Sequence, residues 1–185
     1  MVAVLAMFLV FDAGPAGAHT GPAVIVDTDM AADDARALAL LLASPHFRVV
    51  AVVTSDGASP PDIGATNVCR VLQFLRKDGV AVGLGRALAA PPPAFRTNAT
   101  GLDWGQLGDP LIPPGGLGYA TNVIRVALRT TPHGVIYICL GPLTNLADAL
   151  EGAPELASAI SSVLWYGTAP NAPQPDWNAM RDATA

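Results

Sequence analysis

Four carboxylates stand within eight residues in the run Asp27-Thr28-Asp29-Met30-Ala31-Ala32-Asp33-Asp34. Charges of one sign at this density repel each other, and burial raises their pKa values unless something positive neutralises them. Arg36 is the chief basic residue nearby and cannot serve four acids. A hard divalent cation with oxygen ligands can. Asp33 and Asp34 are neighbours in a predicted helix, so their side chains diverge by about 100° and can face different ligands. The bland alternative has these two merely opening the helix while Asp27 and Asp29 sit in water. The placement of the whole octet at a strand-to-helix junction argues against it.

The elements that position the octet can be read from the apolar pattern. Residues 23–26 form a short β-branched run that stops at Asp27, as a buried strand would. Residues 33–43 have helical composition with two acids in the first turn, where the helix dipole favours them. Residues 49–54 are again continuously apolar, which completes a βαβ unit. Asp62 is expected to cap a helix through Lys77, with Ile63, Val68, Val71, Leu72 and Leu75 on one face and Gly79 ending it. Further strands are expected at 80–84, 135–140 and 162–166, and helices at 119–129, 144–150 and 154–160. The Pro- and Gly-rich stretch 86–118 breaks the alternation and reads as a functional loop over the site or a solvated connector. The fold class is therefore α/β: an open, mostly parallel, Rossmann-like sheet with helices on both faces. Ligands of such sheets bind beyond the carboxyl ends of the strands. That rule singles out residues 27–34, 55–59, 140–145 and the segment after Tyr166.

With 185 residues and 51% hydrophobic content, the chain can bury one sizeable core. Its net charge of −5 and lack of a basic stripe argue against nucleic acid as a partner. Cys69 and Cys139 lie in apolar patterns without metal-ligand spacing and read as buried free thiols. Residues 2–11 are almost continuously apolar and are followed by Ala16-Gly17-Ala18. This is the form of a secretory signal peptide, too short to span a membrane. No Lys or Arg precedes it, and Asp12 interrupts its end, so a buried first strand is the competing reading. The expected organisation is a leader over 1–18 and one domain over 19–185, secreted or periplasmic if the leader is real and cytoplasmic otherwise. No membrane is expected as a partner of the mature chain.

The octet excludes two familiar motifs. An EF-hand loop would need Gly and Glu where Ala32 and Leu38 stand, and a haloacid-dehalogenase phosphatase would need Thr or Val at Ala31. Residues 24–42 instead resemble the opening of the inosine–uridine-preferring nucleoside hydrolase family, an apolar strand, Asp-x-Asp-x-x-x-Asp-Asp and an Ala/Leu-rich helix. Leu140-Gly141-Pro142-Leu143-Thr144-Asn145-Leu146-Ala147 is similar to a second family segment, and Asp176-Trp177-Asn178-Ala179-Met180-Arg181-Asp182 to a third, in the expected order. The resemblance covers residues 22–185.

It implies roles residue by residue. Asp29 resembles a metal ligand that is also the general base, Asp34 a second ligand, and Leu140 a ligand through its carbonyl. Asp33, Asp176 and Asn178 resemble the residues that hold ribose hydroxyls, with Asn171 as a further ribose-binding Asn and Tyr166 near the sugar. Asp27 would orient the others from behind them. The implied cofactor is Ca²⁺, the implied partner a nucleoside or related riboside, and the implied reaction hydrolysis of the N-glycosidic bond to ribose and free base, as in purine and pyrimidine salvage. A homo-oligomer is compatible with it. Three departures stand against this. Ala58 follows Gly57 where the family has Asn, and Thr97-Asn98 stands where a His-Gly pair is expected. Family members also run beyond Ala185 to a His-Asp pair, so the C-terminal part is expected to be missing. The alternative is a degenerate or truncated member that binds calcium or a sugar without turnover. His19, His46 and His133 read as surface or turn residues rather than replacements for that imidazole.

Overall fold

A computed structural model describes residues 21–105, 107–112, 116–131, 134–168 and 171–185. The expected leader over 1–18, His19 and His133 lie outside these residues. Strand β1 (Ala23–Thr28) leads through α1 (Ala32–Ala43) to β2 (Arg48–Thr54), then through α2 (Pro61–Phe74) to β3 (Ala81–Leu84). A short α3 (Arg96–Thr100) precedes the two-residue β4 (Gly118–Tyr119), which runs into α4 (Ala120–Thr130). Next come β5 (Val135–Cys139), α5 (Thr144–Glu151), a 3₁₀ helix (Pro154–Ala159), β6 (Ile160–Trp165) and α6 (Trp177–Arg181). The strands form one sheet in the order β4-β3-β2-β1-β5-β6, and every neighbouring pair is parallel. The expected open α/β sheet is thus present. No helix among the described residues is long and apolar enough to cross a membrane.

Strand alternation divides the core between two faces. Val24, Val26 and Val52 pack with Leu38 and Leu42 of α1 and Val68, Val71 and Leu72 of α2. Ile25, Val53, Val135 and Tyr137 pack on the other face with Ile124 and Leu128 of α4 and Leu146 and Ala149 of α5. Both faces of β1 are buried, which is why it reads as an unbroken apolar run. Burying each such Val, Ile or Leu side chain stabilises the domain by roughly 1.5–3 kcal/mol.

Several boundaries differ from those expected. Pro60 occupies the N-cap position of α2, so Asp62 lies inside the first turn and caps nothing. The buried face of α2 runs through Gly64, Ala65, Val68, Val71 and Leu72, which leaves Ile63 at the rim, 37% exposed. The helix ends at Phe74 rather than near Gly79. Arg76 takes the left-handed conformation (φ 53°), the Lys77 N–H bonds the Leu72 carbonyl at 2.9 Å and the Arg76 N–H bonds that of Gln73 at 3.1 Å. This is a Schellman closure made without the usual glycine. Residues 154–159 wind as 3₁₀ rather than α, and β6 starts at Ile160. The stretch 86–118 is not wholly irregular, since it holds α3 and begins the edge strand β4.

Candidate functional site

The chain lays β2, β3 and β4 outward on one side of β1, then crosses to lay β5 and β6 on the other. The crevice at such a reversal lies between the carboxyl ends of the two strands flanking it, here β1 and β5. Asp27 and Thr28 end β1, and Leu140 follows β5. Alternation then sends the two polar residues of β1 to opposite faces. Asp27 points with Ile25 toward α5, and Thr28 with Val26 toward α1.

Asp27 is fully buried. Its Oδ2 accepts the Tyr137 hydroxyl at 2.7 Å, and its Oδ1 accepts Asn145 Nδ2 at 3.0 Å. The same Asn145 Nδ2 also donates to the Thr54 carbonyl at 3.0 Å. Burial pushes Asp27 up to about 7, although the Tyr137 and Asn145 hydrogen bonds pull the other way. Asp27 and Asn145 together thus tie β1, β2, β5 and α5 behind the crevice.

Beyond Thr28 the chain turns sharply through Met30, whose φ of 55° is unusual for a residue with a side chain. The fully buried Met30 side chain anchors the turn, and its N–H donates to Thr28 Oγ1 at 2.9 Å. The Thr28 hydroxyl in turn donates to Asp34 Oδ2 at 2.7 Å. This places Asp34, in the first turn of α1, close enough to Asp29 at the strand end for the two buried carboxyls to act on each other. Asp29 Oδ2 also accepts the Ala58 N–H at 2.7 Å, and its backbone carbonyl accepts the Ser59 N–H at 2.8 Å. Burial, reinforced by the Asp29 charge, raises Asp34 to about 8. Asp29 is raised as well, chiefly by burial. Among the described residues no Lys, Arg or His forms an ion pair with either group.

Small residues let the backbones close around this pair. A Cβ at Gly57 would overlap the Asp29 carboxylate, and one at Gly141 would press on the Ser55 hydroxyl and the Asp29 backbone. Glycine is thus required at both by close approach.

The remaining expected residues are placed as follows. Asp33 is exposed on α1 beside the pair. Asn178 is buried, and its Nδ2 donates to the Leu140 carbonyl at 2.8 Å and to the Tyr166 carbonyl at 2.9 Å. The Leu140 oxygen keeps its second lone pair. Asp176 caps α6 by accepting the Asn178 N–H at 2.8 Å. The Tyr166 side chain is 66% exposed, so it meets the cluster only through its backbone. Asn171 is exposed in a left-handed turn (φ 67°) and hydrogen-bonds none of the cluster. His46 is on the surface.

Sequence reasoning missed Tyr137, Asn145 as a clamp, Thr28, and the pairing of Asp56 with Arg96 and Arg181. Tyr137 was visible as the one polar-tipped residue of β5, and Asp56 falls in the segment after β2 that the strand-end rule had singled out. A groove of about 970 Å³ lined by Phe47, Val49, Val80 and Val126 lies at the amino ends of β2 and β3, away from the carboxylates.

Two buried, neighbouring carboxylates without a basic partner among the described residues fit a hard cation, whose charge would reverse the cost of their burial. Among the described residues no third His, Cys, Asp or Glu joins them. Fold and site together define a parallel α/β domain with an acidic, cation-suited centre at its topological switch point.

The family model for inosine-uridine preferring nucleoside hydrolases matches residues 24–185, and the chain belongs to that family. It is similar to the pyrimidine-specific ribonucleoside hydrolase RihA of Salmonella schwarzengrund, at 34% identity over 154 residues, which cover 79% of this chain and 48% of the relative. Among solved structures, the plant nucleoside hydrolase PpNRh1 superposes with a TM-score of 0.72 at 25% identity, over 88% of this chain and 54% of that one. The purine-preferring ribonucleoside hydrolase from Gardnerella vaginalis superposes with a TM-score of 0.76 at 21% identity, over 88% and 55%, a likeness of fold. The chain spans about half the length of the curated relatives it matches.

Proposed function

We propose that this chain carries the metal and ribose half of a calcium-dependent ribonucleoside hydrolase, which splits the N-glycosidic bond to give ribose and free base. The observation that carries this reading is the burial of Asp29 and Asp34 side by side at the end of β1 and the start of α1, without a basic partner among the described residues. Asp29, Asp34 and the free lone pair of the Leu140 carbonyl would hold the ion. When bound, a hard divalent cation lowers the pKa of a water and orients it.

Asp29 is the group suited to take a proton from such a water. Its carboxylate is oriented by the Ala58 N–H, which donates to Oδ2. Asp33, exposed beside the pair, would accept a ribose hydroxyl. So would Asn178 Oδ1, since Nδ2 is spent on two carbonyls. Gripping two hydroxyls positions C1′ and helps to distort the ring toward the oxocarbenium-like geometry in which a glycosidic bond breaks. Asp176 supports Asn178 by capping α6, while Asn171 and Tyr166 would contribute at the rim.

Calcium titration by calorimetry, run beside release of p-nitrophenol from p-nitrophenyl riboside, tests the reading. One Ca²⁺ site is expected, weakened in Asp29→Ala and Asp34→Ala. Equal affinity in all three proteins would sink it. Calcium binding without turnover would select the second reading, a degenerate or truncated non-catalytic calcium- or sugar-binding member, which Ala58 after Gly57 and Thr97-Asn98 before Gly101 favour. The proposed leader predicts that export from a bacterial host removes residues 1–18. An exported protein whose intact mass still includes Met1 would refute it.

A further inference from the structure

Behind the Asp29 carboxylate lies a buried ionic network that its proposed role does not use. Asp56, at the end of β2, is almost fully buried, and its Oδ1 is shared by the guanidinium groups of Arg96 and Arg181. Its Oδ2 accepts the Leu88 N–H at 2.7 Å. Arg181 is equally buried and spends its other donors on carbonyls: Nε on Asp56 at 3.2 Å, and Nη1 on Ala90 and Pro91 at 2.9 Å each. Arg96 Nη2 also grips the Gly57 carbonyl at 2.8 Å. Phe95 and Trp177, the residues beside Arg96 and near Arg181, pack edge to face at 5.3 Å. Two distant side chains, Arg181 and Arg96, thus grip the backbone carbonyls of Asp56 and Gly57. The next residue, Ala58, supplies the N–H that holds Asp29 Oδ2, and Ser59 holds the Asp29 carbonyl.

We propose that Asp56 and Arg181 are positioning residues for Asp29, holding the Gly57-Ala58 backbone where the Ala58 N–H fixes one oxygen of its carboxylate. A buried ion pair alone is weak evidence of stabilisation. This one lies where the loop that touches the proposed base would otherwise be free to shift, and partners of this kind govern the orientation of a ligand. The inference rests on the reading of Asp29 given above.

The test uses Asp56→Asn and Arg181→Met in the full chain. Amide hydrogen exchange followed by NMR without metal is the first readout, and calorimetric titration with Ca²⁺ alone is the second. Exchange at Ala58 and Ser59 should quicken about tenfold, the factor that one ordinary hydrogen bond commands, while the β1–β5 ladder amides keep their rates. Calcium affinity should fall about 10- to 100-fold, as is usual for lost supporting partners. Unchanged exchange at Ala58 would overturn the proposal. So would equal acceleration of every core amide, which marks loss of global stability only. If the parent binds no Ca²⁺, the metal reading fails, and the exchange rates still decide the positioning role. Should Arg181→Met not fold, Asp56→Asn carries the test, because it keeps an acceptor at Oδ1.

Discussion

Replacing Tyr137 by Phe removes one oxygen from the middle of the sheet and leaves every apolar contact of the ring in place. Tyr137 and Asp27 are both fully buried, and the lost hydroxyl is the 2.7 Å donor to Asp27 Oδ2. Water cannot replace it without opening the packing between β5, β1 and α4. The cost is that of a buried acceptor left unpaired, about 1–3 kcal/mol. Asn145 still bonds Oδ1, which favours the lower half of that range. In a domain of this size each kcal/mol moves the melting temperature by about 2–4 °C. Urea unfolding followed by circular dichroism would show a lower midpoint at an unchanged slope. Tyr119→Phe is the control, since that ring is exposed and such a change should stay within about 0.5 kcal/mol. Equal stability of Tyr137→Phe and the parent would refute the reasoning, because it would mean that the Asp27 clamp contributes nothing to the carboxyl end of the sheet.

Three further outcomes are expected. Burial pushes Asp56 up, but the Leu88 N–H and the Arg181 and Arg96 guanidinium groups outweigh it and hold the carboxyl below its usual value of 3.8. Its contribution is therefore complete above pH 4 or so and is lost as pH falls through the depressed folded value. Urea midpoints measured from about pH 5 down to pH 2 should fall less steeply in Asp56→Asn than in the parent, and parallel curves would contradict this. Gly57→Ala should destabilise by about 1–3 kcal/mol through overlap with Asp29 and should weaken calcium binding, whereas Gly79→Ala, with open space around its Cβ, should be neutral or slightly stabilising in the same unfolding assay. Arg76→Gly should raise stability by about 1 kcal/mol, because glycine adopts the left-handed closure of α2 without strain; a lower urea midpoint would show that the arginine side chain matters more than its backbone.

Much of this architecture is local in origin and was therefore legible along the chain. The unbroken β-branched runs of β1 and β2 mark strands buried on both faces, and their alternation with α1 and α2 implies a parallel sheet. The octet from Asp27 to Asp34 stood out because its carboxylates are close in sequence whatever the rest of the chain does. Boundaries were less legible where a local rule had an unexpected substitute. Arg76 closes α2 in place of a glycine, and Pro60 with Pro61 opens it in place of the expected Asp62 cap. Tertiary packing alone decided the division of labour among the acids. Asp27 becomes an internal clamp because alternation turns it toward Tyr137 and Asn145, residues more than a hundred positions away. Asp29 and Asp34 become neighbours because the Met30 turn and the Thr28 hydroxyl bring strand end and helix start together. The Asp56–Arg181 network joins residues 125 positions apart. No periodicity or short motif can encode such a contact, because it exists only once the sheet and α6 are in place.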